Sequence, residues 1–179
     1  MGIVTACIGL GSNLGDRVPA IEKAVEKIKA LPDTRFIALS GLYETTPVGL
    51  DGGLFLNAVA VIETLLEPGM LLEALLSMES AMGRTRKPGK AGSRVIDLDL
   101  LLYGNITVEE KRLTLPHPRM LHRRFVMEPL AEVEPDLRIP PEGIKASEIA
   151  ADLAKSHPEQ EVRRLGTLKE IKEGLMFEV

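Results

Sequence analysis

The stretch Val95–Tyr103 reads VIDLDLLLY and is followed by Gly104-Asn105. Its density of Ile and Leu marks a buried strand, and the Gly-Asn pair marks the turn that closes it. Side chains alternate along a strand, so Asp97 and Asp99 project from one face with Cα atoms roughly 6.5–7 Å apart. The leucines around them make an apolar setting, in which two carboxylates repel each other and resist desolvation. A solvated edge strand resolves that conflict. So does a divalent cation, because oxygen ligands suit Mg²⁺ and two carboxylates leave room for phosphate oxygens and water.

Working outward, Ile3–Leu10 is a mostly apolar run that ends in Gly9-Leu10-Gly11-Ser12-Asn13. It predicts a strand entering a tight turn at a sheet edge. The glycines match neither a dinucleotide fingerprint nor a Walker loop, since the third glycine comes late and no Lys-Ser/Thr pair follows. Asp16 is placed to cap a helix running to about Ala30, with Val18, Ile21, Val25 and Ile28 on one face. Phe36–Thr46 and Leu54–Leu65 predict two more strands. Between them, Pro47–Gly53 is a glycine-rich loop. Pro68 suits the first turn of a second helix, with Met70, Leu71, Ala74, Leu75 and Met78 as its buried stripe and Gly83 as its end.

The resulting order is β-α-β-β-α-β. It predicts an α+β fold of ferredoxin-like type, a four-stranded antiparallel sheet with two helices on one face, plus C-terminal additions. A short hairpin after Ile106, a helix from about Leu121 to Glu128 and another over Lys145–Ser156 follow. Residues 1–157 are read as one domain, and 158–179 as a charged tail with no clear period and no assigned role.

The chain has 179 residues, a net charge of -4 and a single cysteine, Cys7, in an apolar run. The acidic balance argues against a nucleic-acid coat. No run of about 18 apolar residues predicts a membrane span. One cysteine and no signal peptide fit the cytoplasm. The charge is uneven: Arg84, Arg86, Lys87, Lys90 and Arg94 form a basic loop without an acid. That loop runs directly into the Asp97 strand, and Gly89 and Gly92 would let it close over a polyanion. Metal-binding carboxylates with arginines beside them are the equipment of phosphoryl transfer. His117, fixed between Pro116 and Pro118, can hydrogen-bond a phosphate when neutral or neutralise it when charged. Asn57 lies in an apolar strand, and its amide can both donate to and accept from a heterocycle. Phe55, two residues earlier, shares that face and can stack on a flat ligand.

In order along the chain stand GLGSNLGDR (9–17), YETTPVG (43–49), FLNAV (55–59), GRTRK (83–87), SRVIDLDLLLYG (93–104), LTLPHPRM (113–120) and RRFVMEPLAEVEP (123–135). Together they resemble the 6-hydroxymethyl-7,8-dihydropterin pyrophosphokinases of folate biosynthesis. The resemblance covers about residues 1–140, and DLDLLLYG followed by LPHP is its most specific part. It implies the ferredoxin-like fold and transfer of pyrophosphate from ATP to the pterin hydroxymethyl group, with AMP as the other product. It implies two Mg²⁺ ions on Asp97 and Asp99, with Arg84 and Arg94 completing the catalytic set. ATP would be met by Glu79, Arg84, Arg86, Arg94, Arg112, Thr114, His117 and Arg123. The pterin would be met by Thr45, Thr46, Val48, Phe55, Asn57 and Phe125, with the two aromatic rings sandwiching it. The partners implied are ATP and a dihydropterin, with no nucleic acid and no membrane, on a monomer or weak homo-oligomer.

Three positions depart from the family pattern. Ala91 replaces an aromatic residue in the basic loop, Thr46 replaces a proline, and Phe55 stands where some members carry tyrosine. Two other classes compete on the residues alone: a ligand-sensing module on the same fold, and a nucleotide-sugar transferase using the Asp-x-Asp pair.

Overall fold

A computed structural model describes residues 2–47, 53–83 and 95–176. The apolar run at the start forms β1 (Val4–Ser12), which lies at the centre of the main sheet. It pairs antiparallel with β4 (Phe55–Thr64) on one side and β5 (Asp97–Tyr103) on the other. Gly9 and Gly11 therefore belong to a central strand, which corrects their reading as an edge turn. Both ladders run through Gly9 and Gly11, so the strand continues past the glycines with neither backbone edge open.

The stretch read as one strand over Phe36–Thr46 is two, β2 (Thr34–Leu39) and β3 (Leu42–Thr45). Both pair with β4, β2 along its far half and β3 along its near half. The break falls at Ser40-Gly41, where the Ser40 hydroxyl accepts the Val59 N–H at 2.9 Å and replaces a ladder bond. The spatial order β5-β1-β4-β2/β3 is that of the ferredoxin-like fold.

Helices α1 (Arg17–Lys29) and α2 (Pro68–Ala81) cover one face of the sheet. Ile21, Val25, Ile28, Leu71 and Leu75 pack there on Ile8, Leu10, Leu56, Ala58, Leu98 and Leu100. Asp16 occupies the N-cap of α1 without a side-chain cap bond. Pro68 opens α2 as expected, and Gly83 follows it at φ +90°, a conformation that favours glycine. Met70 is exposed rather than part of the buried stripe, because the inward face of the helix runs through Leu71, Leu75 and Glu79 at four-residue spacing.

The other face is covered too, which the two-helix expectation did not include. After β5 the chain makes a small hairpin, β6 (Val108–Glu109) and β7 (Thr114–Leu115), whose Val108, Leu113 and Leu115 join the α1–α2 core. It then passes through a 3-10 turn at Met120–His122 into α3 (Arg124–Val133), which covers this second face. The helix begins three residues later than predicted and runs through Pro129. A second hairpin, β8 (Arg138–Ile139) and β9 (Ile144–Lys145), precedes α4 (Ala146–Ser156). Val126, Met127, Leu130 and Leu153 pack on Cys7, Val59, Val61 and Leu101. Burial pushes the Cys7 thiol up to about 12, with the Glu134 charge adding to it, so this cysteine is an inert core group.

The segment read as a tail contributes β10 (Val162–Gly166), which pairs with β3 and extends the main sheet, and then α5 (Leu168–Met176). Two consecutive arginines, Arg163 and Arg164, inside β10 obscured its period. Arg163 and Arg164 pair with Glu44 and Glu132 respectively, so these charges belong to the strand's packing.

Candidate functional site

The ladder registers explain how the site is built. Gly11 sits opposite Asn57 on β4 and opposite Asp97 on β5. One step along, Gly9 sits opposite Val59 and Asp99. Asn57, Gly11 and Asp97 thus form a row across three strands, with no side chain in the middle. Two strand spacings, about 10 Å, separate its polar ends. The glycines leave a trough in the sheet between α3 and the β3–β4 end, with a cavity of about 370 Å³. A Cβ on Gly11 would come within 3.0 Å of Asn57 Oδ1 and 3.8 Å of the Phe55 ring.

Asn57 is buried, and its amide nitrogen donates to Thr45 Oγ1 at 2.7 Å. That bond turns the amide oxygen toward Gly11 and the trough. Thr45, Thr46, Phe55 and Phe125 line the same cavity, so five of the six residues expected to meet the pterin stand together. Val48, the sixth, lies outside the described residues. Around the β3–β4 connection, Arg17 donates to the Leu54 carbonyl and to Glu44, and Arg163 donates to Glu44 as well. The two guanidiniums overcome the opposing effect of partial burial and hold Glu44 below its ordinary carboxylate value, with the Arg17 hydrogen bond the largest influence.

The other wall carries charge. Asp97, Asp99, His117, Arg119 and Arg123 all line the cavity. The β1–β5 ladder skips Leu101, and this bulge sets up the His117 side. Leu101 accepts the His117 N–H on its carbonyl at 2.9 Å and leans its side chain over Gly9. Burial, then the Arg123 and Arg119 cations, push the His117 imidazole below its ordinary value, and Asp97 only partly opposes them. These influences favour the neutral ring. Its Nδ1 accepts the Arg119 N–H at 3.2 Å, which leaves the proton on Nε2. The Arg123 guanidinium stands 5.3 Å from the Phe125 ring centre, a cation–π distance.

A second groove adjoins the first and shares Asp99, His117 and Pro118 with it. Arg112 and Thr114 line this groove, and Arg112 also pairs with Glu73. Glu79 stands apart from both linings. It is buried on α2, where its carboxylate accepts the Leu98 N–H at 2.7 Å and braces the strand between the two aspartates. Arg84, Arg86 and Arg94, with Ala91, lie outside the described residues.

Sequence reasoning missed Gly9, Gly11, Pro47 and Arg119 as site residues. The glycines could have been found by laying β1 against the Asp97 strand in register. Arg119 carried only its nearness to His117. Two carboxylates two residues apart beside a side-chain-free trough, with arginines lining the same cavity, are an oxygen donor set suited to a metal carried by a polyphosphate.

A family model described as 7,8-dihydro-6-hydroxymethylpterin-pyrophosphokinase matches residues 7–135. The chain is 45% identical over 154 residues to a Methylorubrum extorquens protein named 2-amino-4-hydroxy-6-hydroxymethyldihydropteridine pyrophosphokinase, covering 86% of this chain and 94% of the relative. A Haemophilus influenzae protein of the same name is 39% identical over 91% of this chain and 99% of its own length. Among solved structures, a Plasmodium falciparum HPPK-DHPS with pterin and p-hydroxybenzoate superimposes with a TM-score of 0.69 at 16% identity. That match covers 88% of this chain and 44% of the other, and it shows the shared fold.

Proposed function

Since the chain belongs to the 7,8-dihydro-6-hydroxymethylpterin-pyrophosphokinase family and transfers pyrophosphate from ATP to the hydroxymethyl group of the dihydropterin, we propose that the glycine-floored trough is where the two substrates meet. The observation that carries this reading is the row Asn57–Gly11–Asp97, which sets a heterocycle-reading amide one strand away on one side and a carboxylate one strand away on the other.

In this reading the pterin ring lies over Gly11, between Phe55 and Phe125. Asn57 Oδ1 accepts a ring or exocyclic N–H, and Thr45 holds that amide in place. The hydroxymethyl group then points along the row toward the aspartates. Asp97 and Asp99 would hold two magnesium ions, which neutralise charge on the triphosphate when bound. His117 donates its Nε2 proton to a phosphate oxygen, and Arg123 supplies a fixed positive charge beside it. Thr114 and Arg112 extend the nucleotide site into the second groove. Glu79 acts on that site from beneath, through the strand that carries both aspartates. Arg84, Arg86 and Arg94 belong to the same proposal as phosphate contacts, on the strength of the family resemblance alone.

The hydroxymethyl oxygen attacks the β-phosphorus of ATP and gives up its proton to water, a new oxygen–phosphorus bond forms, and the bond from the β-phosphorus to the α,β-bridging oxygen breaks, so that AMP leaves with that oxygen. The chain's contribution is mainly alignment and charge neutralisation. We assign it to the cytoplasm as a monomer or weak homo-oligomer without nucleic-acid or membrane partners. No helix among the described residues is long and apolar enough to cross a membrane. The test is an assay with ATP, Mg²⁺ and 6-hydroxymethyl-7,8-dihydropterin, run with variants of the trough. Substrate-specific losses, in pterin KM for Asn57→Ala and in ATP KM for Arg123→Ala, support the site. Normal kinetics in both variants would remove it.

A further inference from the structure

Arg123 is the N-cap of α3, at φ -120° and ψ 108°, and it makes no side-chain cap bond. An N-cap favours Ser, Thr, Asp or Asn, because a short side chain can turn back onto the orphan N–H groups of the first turn. An arginine directed into the cavity cannot do this. The cap comes instead from 36 residues away in sequence. Gln160 Oε1 accepts the Arg124 N–H at 3.0 Å, and Gln160 Nε2 donates to the His122 carbonyl at 2.9 Å.

Those two backbone groups flank residue 123 on the same edge of an extended unit. One carboxamide therefore grips the chain immediately before and after Arg123, as a neighbouring strand would. Gln160 is itself held, since Arg124 Nη1 donates to the carbonyls of Gln160 at 2.8 Å and His157 at 3.3 Å, while Arg124 Nε binds Glu128.

We propose that Gln160 is a positioning residue for the pyrophosphoryl transfer. Its two-point grip fixes the backbone of Arg123 and so aims the guanidinium over Phe125 and into the cavity beside His117. The inference rests on the reading of Arg123 as a phosphate contact. It assigns a kinetic role to a residue beyond the span of the family match, which ends at 135.

The test uses the intact chain with ATP, Mg²⁺ and the dihydropterin. Gln160→Ala should raise the KM for ATP about fivefold, the scale of one or two lost hydrogen bonds, with kcat within about twofold of the parent. The same substitution added to Arg123→Ala should change the ATP KM no further. Where Gln160→Ala fails to fold by its thermal transition, Gln160→Glu carries the test. It keeps the acceptor for Arg124 and sets like charges against the His122 carbonyl, so it too should raise the ATP KM. An unchanged ATP KM in the Gln160 variant beside an impaired Arg123→Ala overturns the positioning role alone. A Gln160 effect that persists in the Arg123→Ala background also overturns it, by showing a structural defect. A normal ATP KM in Arg123→Ala removes the phosphate reading and the positioning role with it.

Discussion

Gly11 faces Asn57 across the sheet so closely that a single added Cβ would stand 3.0 Å from the amide oxygen. The floor of the trough is thus defined by a missing side chain, and the amide oxygen is held over it by Thr45. Gly11→Ala should push Asn57 off its bond to Thr45. We expect the pterin KM to rise about tenfold, the ATP KM to stay near the parent value, and the fold to persist, since strand alanines are tolerated. Steady-state kinetics in each substrate decide this, and equal losses for both substrates would count against it.

Thr45→Val removes the acceptor for a buried amide N–H while keeping the shape of the side chain. A buried donor left unmet costs about 1–3 kcal/mol. The thermal midpoint should fall by several degrees, and pterin binding measured by calorimetry should weaken. A midpoint unchanged from the parent would show that Asn57 finds another acceptor.

Asp97→Asn and Asp99→Asn keep volume and remove charge. Each should lower turnover by at least about a hundredfold while retaining a cooperative thermal transition. The dependence of rate on Mg²⁺ concentration should shift to higher values. A variant with parental turnover and parental Mg²⁺ dependence would exclude that carboxylate from the metal site.

Glu132 joins α3 to the β3 edge. Tyr43 O–H, the Gly41 N–H and two Arg164 nitrogens all donate to it. Burial pushes its carboxyl up, but the Arg164, Tyr43 and Gly41 hydrogen bonds together hold it below its ordinary value of 4.5. The unfolded chain therefore takes up this proton more readily than the folded one. The network's contribution is complete above about pH 4.5 and is lost as pH falls through the depressed folded value. In Glu132→Gln the thermal midpoint should be lower at neutral pH and should fall less steeply between about pH 5 and pH 3. Parallel curves for variant and parent would refute the linkage.

Ending the chain after His157 removes β10 and its bonds to β3, and with them the Gln160 grip on α3. An exposed β3 edge invites association between chains. The shortened protein should lose about 10 °C or more in thermal midpoint, or become insoluble. A soluble monomer of parental stability would show that β10 is dispensable to the sheet.

The parts of this molecule that were legible in the sequence are those where one physical signal acted alone. Density of Ile and Leu marked β5, strand-typical residues such as Val59, Val61 and Thr64 marked β4, and helical periodicity with Pro68 marked α2. The split at Ser40-Gly41 was hidden because both halves have strand composition and only the Ser40 hydroxyl, bonded to a distant Val59 N–H, interrupts them. β10 was hidden because its outward residues are arginines whose partners, Glu44 and Glu132, lie far away along the chain.

The site divides in the same way. Asp97, Asp99, Asn57 and His117 could be singled out because polar groups in apolar or proline-fixed settings stand out locally. Gly11 could not, because its importance lies in what stands beside it on two other strands. Gln160 was less legible still, since a carboxamide in a charged stretch shows nothing until its backbone targets at 122 and 124 are in place.

Arg163 meets Glu44, 119 positions away along the chain, in register within the β3–β10 pair. During synthesis, β3 leaves the ribosome early and its outer edge has no neighbour until β10 follows. The delay raises the loop-closure cost only slowly, but such distant pairings come late in folding. A nascent chain that has emerged through Pro118 already carries both aspartates and the histidine. It still lacks Arg123 and Phe125 of the trough, the glutamine that grips the chain around Arg123, and the strand that covers the outer edge of β3. Closure of the sheet edge beside Thr45 should thus arrive as a step at the emergence of β10, rather than accumulate with length.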